Sequence, residues 1–371
     1  VPYRNTFRRP SRLRAACFQF SLLALSFTAC AGSASAAHTQ RGASNAVTSS
    51  QLAIQVNDDR ITLSMARVPQ IYLYGPIDVD APQRFEALVN SGRIRPGSDI
   101  YLNSPGGSVT AGMALGRLFR QGGMITHLGM PRLPKGAANV NRSAICEGAC
   151  AYAYLGGLYR WAASGSDRIG FPTYAAQRAP EDVSAYLKDM GINDDALAAA
   201  TSGTSPDPVL WPNADTMIAK GLANNGRQDL VATYSFSQGA PQLELKQIDR
   251  NGTHSITLLC KQAGAELTTY DTIGAVRARS IVGREEHSYF EINQQEVLPQ
   301  QRGAMAVDES VVIHRIYPLN QLPRVASAQA MGAWVKDRNG IRFGFAFEVG
   351  GVRKILNDFT NACVNEAQAH S

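Results

Sequence analysis

The sequence predicts a mixed α/β protein in two parts, an α/β segment over residues 61–226 and a smaller, mainly antiparallel β segment over 227–371. Three observations carry this. Strand-like and helix-like runs alternate between residues 71 and 222, as successive βαβ crossovers require. Short β runs separated by turns fill residues 230–349. The chain of 371 residues also exceeds the roughly 250–300 at which a single core stops growing.

Taken in order, IYLYGPI at 71–77 is a β run and 82–89 begins an amphipathic helix. DIYL at 99–102 is a second strand, SVTAGMALGRLFRQ at 108–121 a helix, and 124–128 extended. Residues 149–158 are apolar and read as helical. EDVSAYLKDM and DDALAAAT, between residues 180 and 201, predict two further helices. This alternation of strand and helix implies βαβ crossovers and a largely parallel, buried sheet.

After Gly226 the pattern changes. Residues 243–248, 255–259 and 341–349 are β runs, and the tetrapeptide Asp-Arg-Asn-Gly occurs at both 249–252 and 337–340. Asn-Gly favours the positive φ values of tight hairpins. Phe343, Phe345 and Phe347 alternate with period two and predict one face of a sheet. A helix over 352–364 closes the region.

The formal charge of +6 does not imply a nucleic-acid partner. Arg4, Arg8, Arg9, Arg12 and Arg14 precede residue 15, residues 1–36 hold no acid, and the rest of the chain is near neutrality. Those arginines lead into an apolar run over 15–29, followed by small residues ending Ala34-Ser35-Ala36. This is the pattern of a secretory signal peptide over 1–36, with a flexible lead-in over 37–60. The run falls short of the ~20 apolar residues of a spanning helix, so no stable transmembrane span is expected after processing. Cys30 offers a second reading as a lipid-modified N-terminus, although Phe27 departs from the leucine expected there. The expected location is periplasmic or secreted.

Processing would remove Cys17 and Cys30 and leave Cys146, Cys150, Cys260 and Cys363. Four cysteines in an oxidising compartment predict two disulfides, with three pairings open. The spacing of four residues favours Cys146 with Cys150, which leaves Cys260 with Cys363. No His/Cys cluster accompanies them, so neither a metal nor another cofactor is expected.

The stretch Leu102-Asn103-Ser104-Pro105-Gly106-Gly107-Ser108-Val109-Thr110-Ala111-Gly112 carries the functional inference. A strand ends, proline stops it, two glycines turn the backbone, and a helix begins. Bare N–H groups beside a helix N-terminus favour an oxyanion. The string resembles the oxyanion turn of Clp-type serine proteases, and is similar to signal peptide peptidases of the same superfamily. The resemblance runs from Leu73-Tyr74-Gly75-Pro76-Ile77 to Gly221-Leu222, about 150 residues. It implies a crotonase/Clp-protease-like ββα spiral domain, with Gly106, Gly107 and Ala149 as oxyanion or ligand-binding positions.

The chain departs from the family pattern where chemistry would occur. Exported bacterial proteins of this likeness hold the nucleophile in a Cys-x-Ser-x-Cys turn and the base in a Gly-x-His segment. Here Cys146-Glu147-Gly148-Ala149-Cys150 places Gly148 at the serine, and Gly170-Phe171-Pro172 places Pro172 at the histidine. Gly157, nine residues after Gly148, fits the family register. Asp207 is the loose match to the third triad member. Glycine offers no nucleophilic atom and proline no proton acceptor, so no intact catalytic set is expected.

Three functions compete. The leading one is a catalytically silent pseudo-hydrolase that binds a peptide, acyl group or protein partner. The second is an active serine hydrolase using another hydroxyl, with Ser143, Ser164 and Ser166 nearby. The third is a crotonase-type lyase or isomerase using Glu147 as acid/base, against which Glu147 reads as a carboxylate complementing a helix start. Tyr152, Tyr154, Tyr159 and Trp161 read mainly as core. The resemblance also implies self-association, and export leaves no role for an ATP-driven unfoldase.

Overall fold

The first secondary structure encountered is a strand, β1 (Ala53–Asn57), followed by a helix, α1 (Arg60–Ala66). Both fall wholly or partly inside the stretch that composition assigns to a lead-in. The missed signals are the period-two run Ile54, Val56 and the N-cap Asp59, whose carboxylate accepts from the Ile61 and Thr62 N–H groups. The computed structural model describes residues 50–131, 143–172, 181–192 and 209–369. The expected leader with Cys17 and Cys30, most of the lead-in, Asp207 and the helix expected near 194–201 lie outside the described residues.

Residues 48–371 form one compact unit containing two hydrophobic cores. The first core lies between Leu52 and Ala223. Its elements continue with β2 (Gln70–Tyr74), α2 (Ala81–Asn90), β3 (Asp99–Asn103), α3 (Val109–Gln121) and β4 (Ile125–Leu128). Then come β5 (Ile145–Glu147), α4 (Ala149–Leu155), β6 (Tyr159–Arg160), β7 (Arg168–Pro172), α5 (Glu181–Asp189) and β8 (Val209–Leu210). One sheet has the order β1-β2-β3-β4-β6, with β2, β3, β4 and β6 parallel and β1 antiparallel on the edge. A three-stranded sheet has the order β5-β7-β8.

The continuous apolar runs of the strands are explained by burial on both faces. Ile71, Leu73, Ile100 and Leu102 face the helices and belong to the first core. On the other face Tyr72, Tyr101 and His127 are cross-strand partners and stack, with ring centroids 4.7 and 4.8 Å apart. Each fully buried Leu or Ile contributes about 1.5–3 kcal/mol.

Helix α4 ends at Leu155, earlier than the expected 158. Gly156 lies against α3 so closely that a Cβ there would sit 2.2 Å from the Gly116 Cα. The Arg120 guanidinium then donates to the buried carbonyls of Leu155, Gly156 and Gly157 at the helix end. This frees the chain to enter β6.

The second core is built from β9 (Val231–Ser237), β10 (Ala240–Asp249), β11 (Gly252–Lys261), β12 (Gly264–Thr272), β13 (Glu285–Ile292), β14 (Gln295–Gln301), β15 (Ala304–Val307), β16 (Ser310–Pro318), β17 (Ala330–Asp337) and β18 (Arg342–Glu348). They form two antiparallel sheets, β15-β16-β12-β11-β10-β9 and β14-β13-β17-β18. Helix Arg353–Ala369 supplies Leu356, Phe359 and Cys363 to that core. Phe345 and Phe347 are buried in it, with Phe343 packed at its margin.

The two Asp-Arg-Asn-Gly turns do not use the expected Asn-Gly geometry. At the first, Asn251 and Gly252 have ordinary negative φ, and the Asp249 carboxylate accepts from both of their N–H groups. At the second, only Gly340 has positive φ, while Asp337 Oδ1 accepts from Asn339 and Ile341. The aspartate caps each turn, so the leading residue of the tetrapeptide carries the signal.

The cysteines pair as Cys146–Cys150 and Cys260–Cys363, with Cα separations of 5.1 and 5.4 Å. Between the two cores, the Arg250 guanidinium in the β10–β11 turn donates to Asp99 Oδ2 at 3.0 Å, and His127 Nε2 lies 3.3 Å from Asp99 Oδ1.

Candidate functional site

The candidate cleft begins where β3 ends. Asn103 Oδ1 accepts from Ile145 N–H, and Ser104 exchanges backbone hydrogen bonds with Ile145 and Glu147, so β5 is laid beside the end of β3. The buried Ser104 hydroxyl accepts from Gly106 N–H at 3.2 Å and holds the turn shut. Gly106 and Gly107 have φ of 103° and 138°, a region unfavourable to L side chains.

Both glycines are also required by close approach. A Cβ on Gly107 would lie 2.2 Å from Ile77 O, and one on Gly106 would lie 3.0 Å from Glu147 O. The Ile77 segment fixes the turn through bonds to Gly106 O and from Ser108 N–H. Ser108 then caps α3, its hydroxyl accepting from Ala111 N–H.

Gly148 joins β5 to α4 through a single residue at φ 57°, ψ −114°. Its N–H donates to Gly170 O at 3.1 Å, which ties the turn to β7. The Cys146–Cys150 disulfide brackets it, with both sulfurs fully buried. Gly112 on α3 permits this placement, because a Cβ there would sit 2.2 Å from Ala149 O. In contrast, a Cβ on Gly148 would meet no atom within 4 Å among the described residues.

The structure therefore brings together Gly106, Gly107, Glu147, Gly148 and Ala149, and carries Pro172 to the end of β7 two residues beyond Gly170. Ala149 N lies 3.8 Å from the position of a Gly106 Cβ. Among the described residues, the N–H groups of Gly107 and Ala149 have no hydrogen-bond acceptor. Two such donors at facing turns can receive a carbonyl or carboxylate oxygen.

The other candidate groups lie elsewhere. Ser143 and Ser166 bond to each other at 2.6 Å just before the first residues of β5 and β7, the ends opposite Gly148, and Ser164 is exposed nearby. Each described histidine has a carboxylate partner of its own. His127 meets Asp99, His287 meets Glu296 at 3.8 Å, and His314 meets Glu266 at 3.5 Å. Tyr152 and Tyr154 are fully buried core residues, whereas Trp161 is 38% exposed.

A buried charge cluster in the second core gave no sequence signal. His254 Nδ1 bonds to Asp271 Oδ1 at 2.8 Å, and its Nε2 lies 3.1 Å from Asp249 Oδ1. Burial pulls the imidazole pKa down, but the two carboxylates outweigh it and raise it to about 9. Burial pushes Asp249 up, and its bonds to His254 and to the turn N–H groups outweigh this to hold it below the ordinary 3.8. The partners are 5 and 17 residues away along the chain, so only the β10–β11–β12 register brings them together.

Among the described residues no group of three or more His, Cys, Asp or Glu could hold a metal, and no helix is long and apolar enough to cross a membrane. No family model matches the sequence, and no curated protein matches it. Solved structures that are similar include a point mutant of ClpP1 from Listeria monocytogenes, at 13% identity over 44% of this chain and 94% of that one, TM-score 0.27. A point mutant of a membrane-bound stomatin-specific protease matches at 20% identity over 41% of this chain and 75% of that one, also at TM-score 0.27.

Proposed function

We propose that this is an exported, catalytically silent protein of the Clp/crotonase type that binds a carbonyl-bearing ligand, a peptide or acyl group, in the cleft between the Gly106–Gly107 and Gly148–Ala149 turns. One observation carries the reading. Gly148 occupies a one-residue strand-to-helix turn at φ 57°, the sharp geometry that lifts a nucleophile from its sheet, yet it has no side chain, and among the described residues no atom lies within 4 Å of where one would begin. Pro172, at the end of the strand hydrogen-bonded to that turn, can neither accept nor shuttle a proton.

The donors that would stabilise an oxyanion remain, so binding persists without a covalent step. The basic, then apolar N-terminal segment and the two disulfides support export. Glu147 sits at the same turn and fits the role of a carboxylate favouring the α4 N-terminus.

Amide NMR on the protein without residues 1–36 tests this reading. An acetylated tripeptide with a free C-terminal carboxylate is expected to shift the Gly107 and Ala149 amide resonances while remaining chemically intact. Unchanged resonances at those two positions, at millimolar peptide, would contradict it.

A further inference from the structure

Helix Arg353–Ala369 buries Leu356, Phe359 and Cys363 in the second core and presents a different stripe to solvent. On that stripe Asn357, Asn361 and Asn365 follow one another at intervals of four, all exposed, with Arg353 one step before them. These four residues line one wall of a groove of about 510 Å³. The opposite wall is Pro323, Ala326 and Ser327, from helix Leu322–Ala326 and the residue after it. A volume of this size lies within the range of ligand sites.

Helix stability does not explain the asparagines. Asn is a poor former in helix interiors, because its carboxamide competes for backbone hydrogen bonds. Three of them at one spacing therefore weaken the element that carries them, and such a local conflict marks a functional surface. None of the three has a hydrogen-bond partner among the described residues. Each presents one acceptor oxygen and two donor hydrogens.

The spacing identifies the chemistry that fits. Four helical residues rise ~6.0 Å. In an extended chain the N–H and C=O groups of alternate residues point to the same side, every ~6.6 Å. Successive carboxamides also turn about 40° around the axis at each step, so an extended chain laid obliquely, along the i±4 ridge inclined about 26° to the axis, meets them in turn. The small side chains of Ala326 and Ser327 leave room for a backbone opposite them. Arg353, which also lines the groove, is held by a bond from its guanidinium to Ala328 O and keeps further N–H donors. Among the described residues, no aromatic side chain lines the groove to provide a platform for a sugar ring.

We infer that this groove is a second binding site, which takes an extended peptide by its backbone, with the Asn357–Asn361–Asn365 carboxamides pairing to alternate peptide units. Recognition of backbone makes the site tolerant of sequence. It is separate from the cleft at Gly148 and does not depend on it.

The test uses the protein lacking residues 1–36 and a fluorescein-labelled, acetylated ten-residue peptide of alternating Thr and Ala, read by fluorescence anisotropy. Binding is expected to weaken at least tenfold in the variant Asn357→Ala/Asn361→Ala/Asn365→Ala. Its thermal midpoint should equal or exceed that of the parent, since alanine is the better helix former. The same peptide N-methylated at every second residue, on the edge facing the helix, should also lose at least tenfold. Equal binding by the triple variant, or no binding by the parent at millimolar peptide, overturns the proposal. Displacement of the probe by cellohexaose as effectively as by unlabelled peptide overturns it in favour of a glycan site.

Discussion

The two disulfides bind their regions in different ways. Cys146–Cys150 closes a loop of a few residues around Gly148 and fixes the conformation of one turn, while Cys260–Cys363 spans 103 residues and fastens a terminal helix to a sheet. The first core has a parallel sheet with helices against it, whose close contacts pass through glycines such as Gly112, Gly116 and Gly156. The second is a pair of antiparallel sheets, one of them carrying an internal ionic cluster. The comparison teaches that the second region is built to be stable, whereas the first region's cross-link serves the geometry of a cleft.

The largest expected effect follows from the long staple. Replacing Cys260 and Cys363 with Ala should cost about 4–5 kcal/mol of folding stability in the chain-entropy model. Denaturant unfolding followed by near-ultraviolet circular dichroism would measure it, and a cost of about 2 kcal/mol or less would remove the staple's distinction from the clamp.

The ionic cluster makes the second region sensitive to alkali. His254 has a pKa raised to about 9, so its contribution is complete below the ordinary 6.5 and is lost as pH rises through about 9. Asp249 lies below its ordinary 3.8, so its contribution is present above that value and fades in acid. Stability of this region should therefore be greatest between about pH 4 and 6.5 and fall by on the order of 2–3 kcal/mol toward pH 10. His254→Gln should flatten the alkaline limb of unfolding free energy against pH.

The short clamp should matter least for stability and most locally. Replacing Cys146 and Cys150 with Ala should cost about 2 kcal/mol. Hydrogen exchange should quicken at Gly148 and Ala149 while the amides of β11 and β12 keep their protection. Equal loss of protection in both regions would show that the clamp supports the whole fold.

Much of the first region was legible in the sequence because its signals are local. Ser104-Pro105-Gly106-Gly107 is dictated by positive φ and by the approach of Ile77, and the four-residue cysteine spacing by disulfide reach. What escaped was long-range or masked by stronger cues. β1 and α1 were hidden by the polar stretch before them. The partners of His254 depend on cross-strand register, and the asparagine stripe gains meaning only once the final helix extends past the expected 364 to include Asn365 and meets Ala326 across the groove. Asp249 and Asp337 were passed over because Asn-Gly is the familiar hairpin cue.

The central claim is that the cleft retains its oxyanion donors and lacks a nucleophile. Intact-mass spectrometry of the protein without residues 1–36, after incubation with an excess of a fluorophosphonate, tests this most directly. The expected result is an unchanged mass under conditions that label a control serine hydrolase to completion. Stoichiometric addition of one phosphonyl group, abolished by a single Ser→Ala substitution, would contradict it.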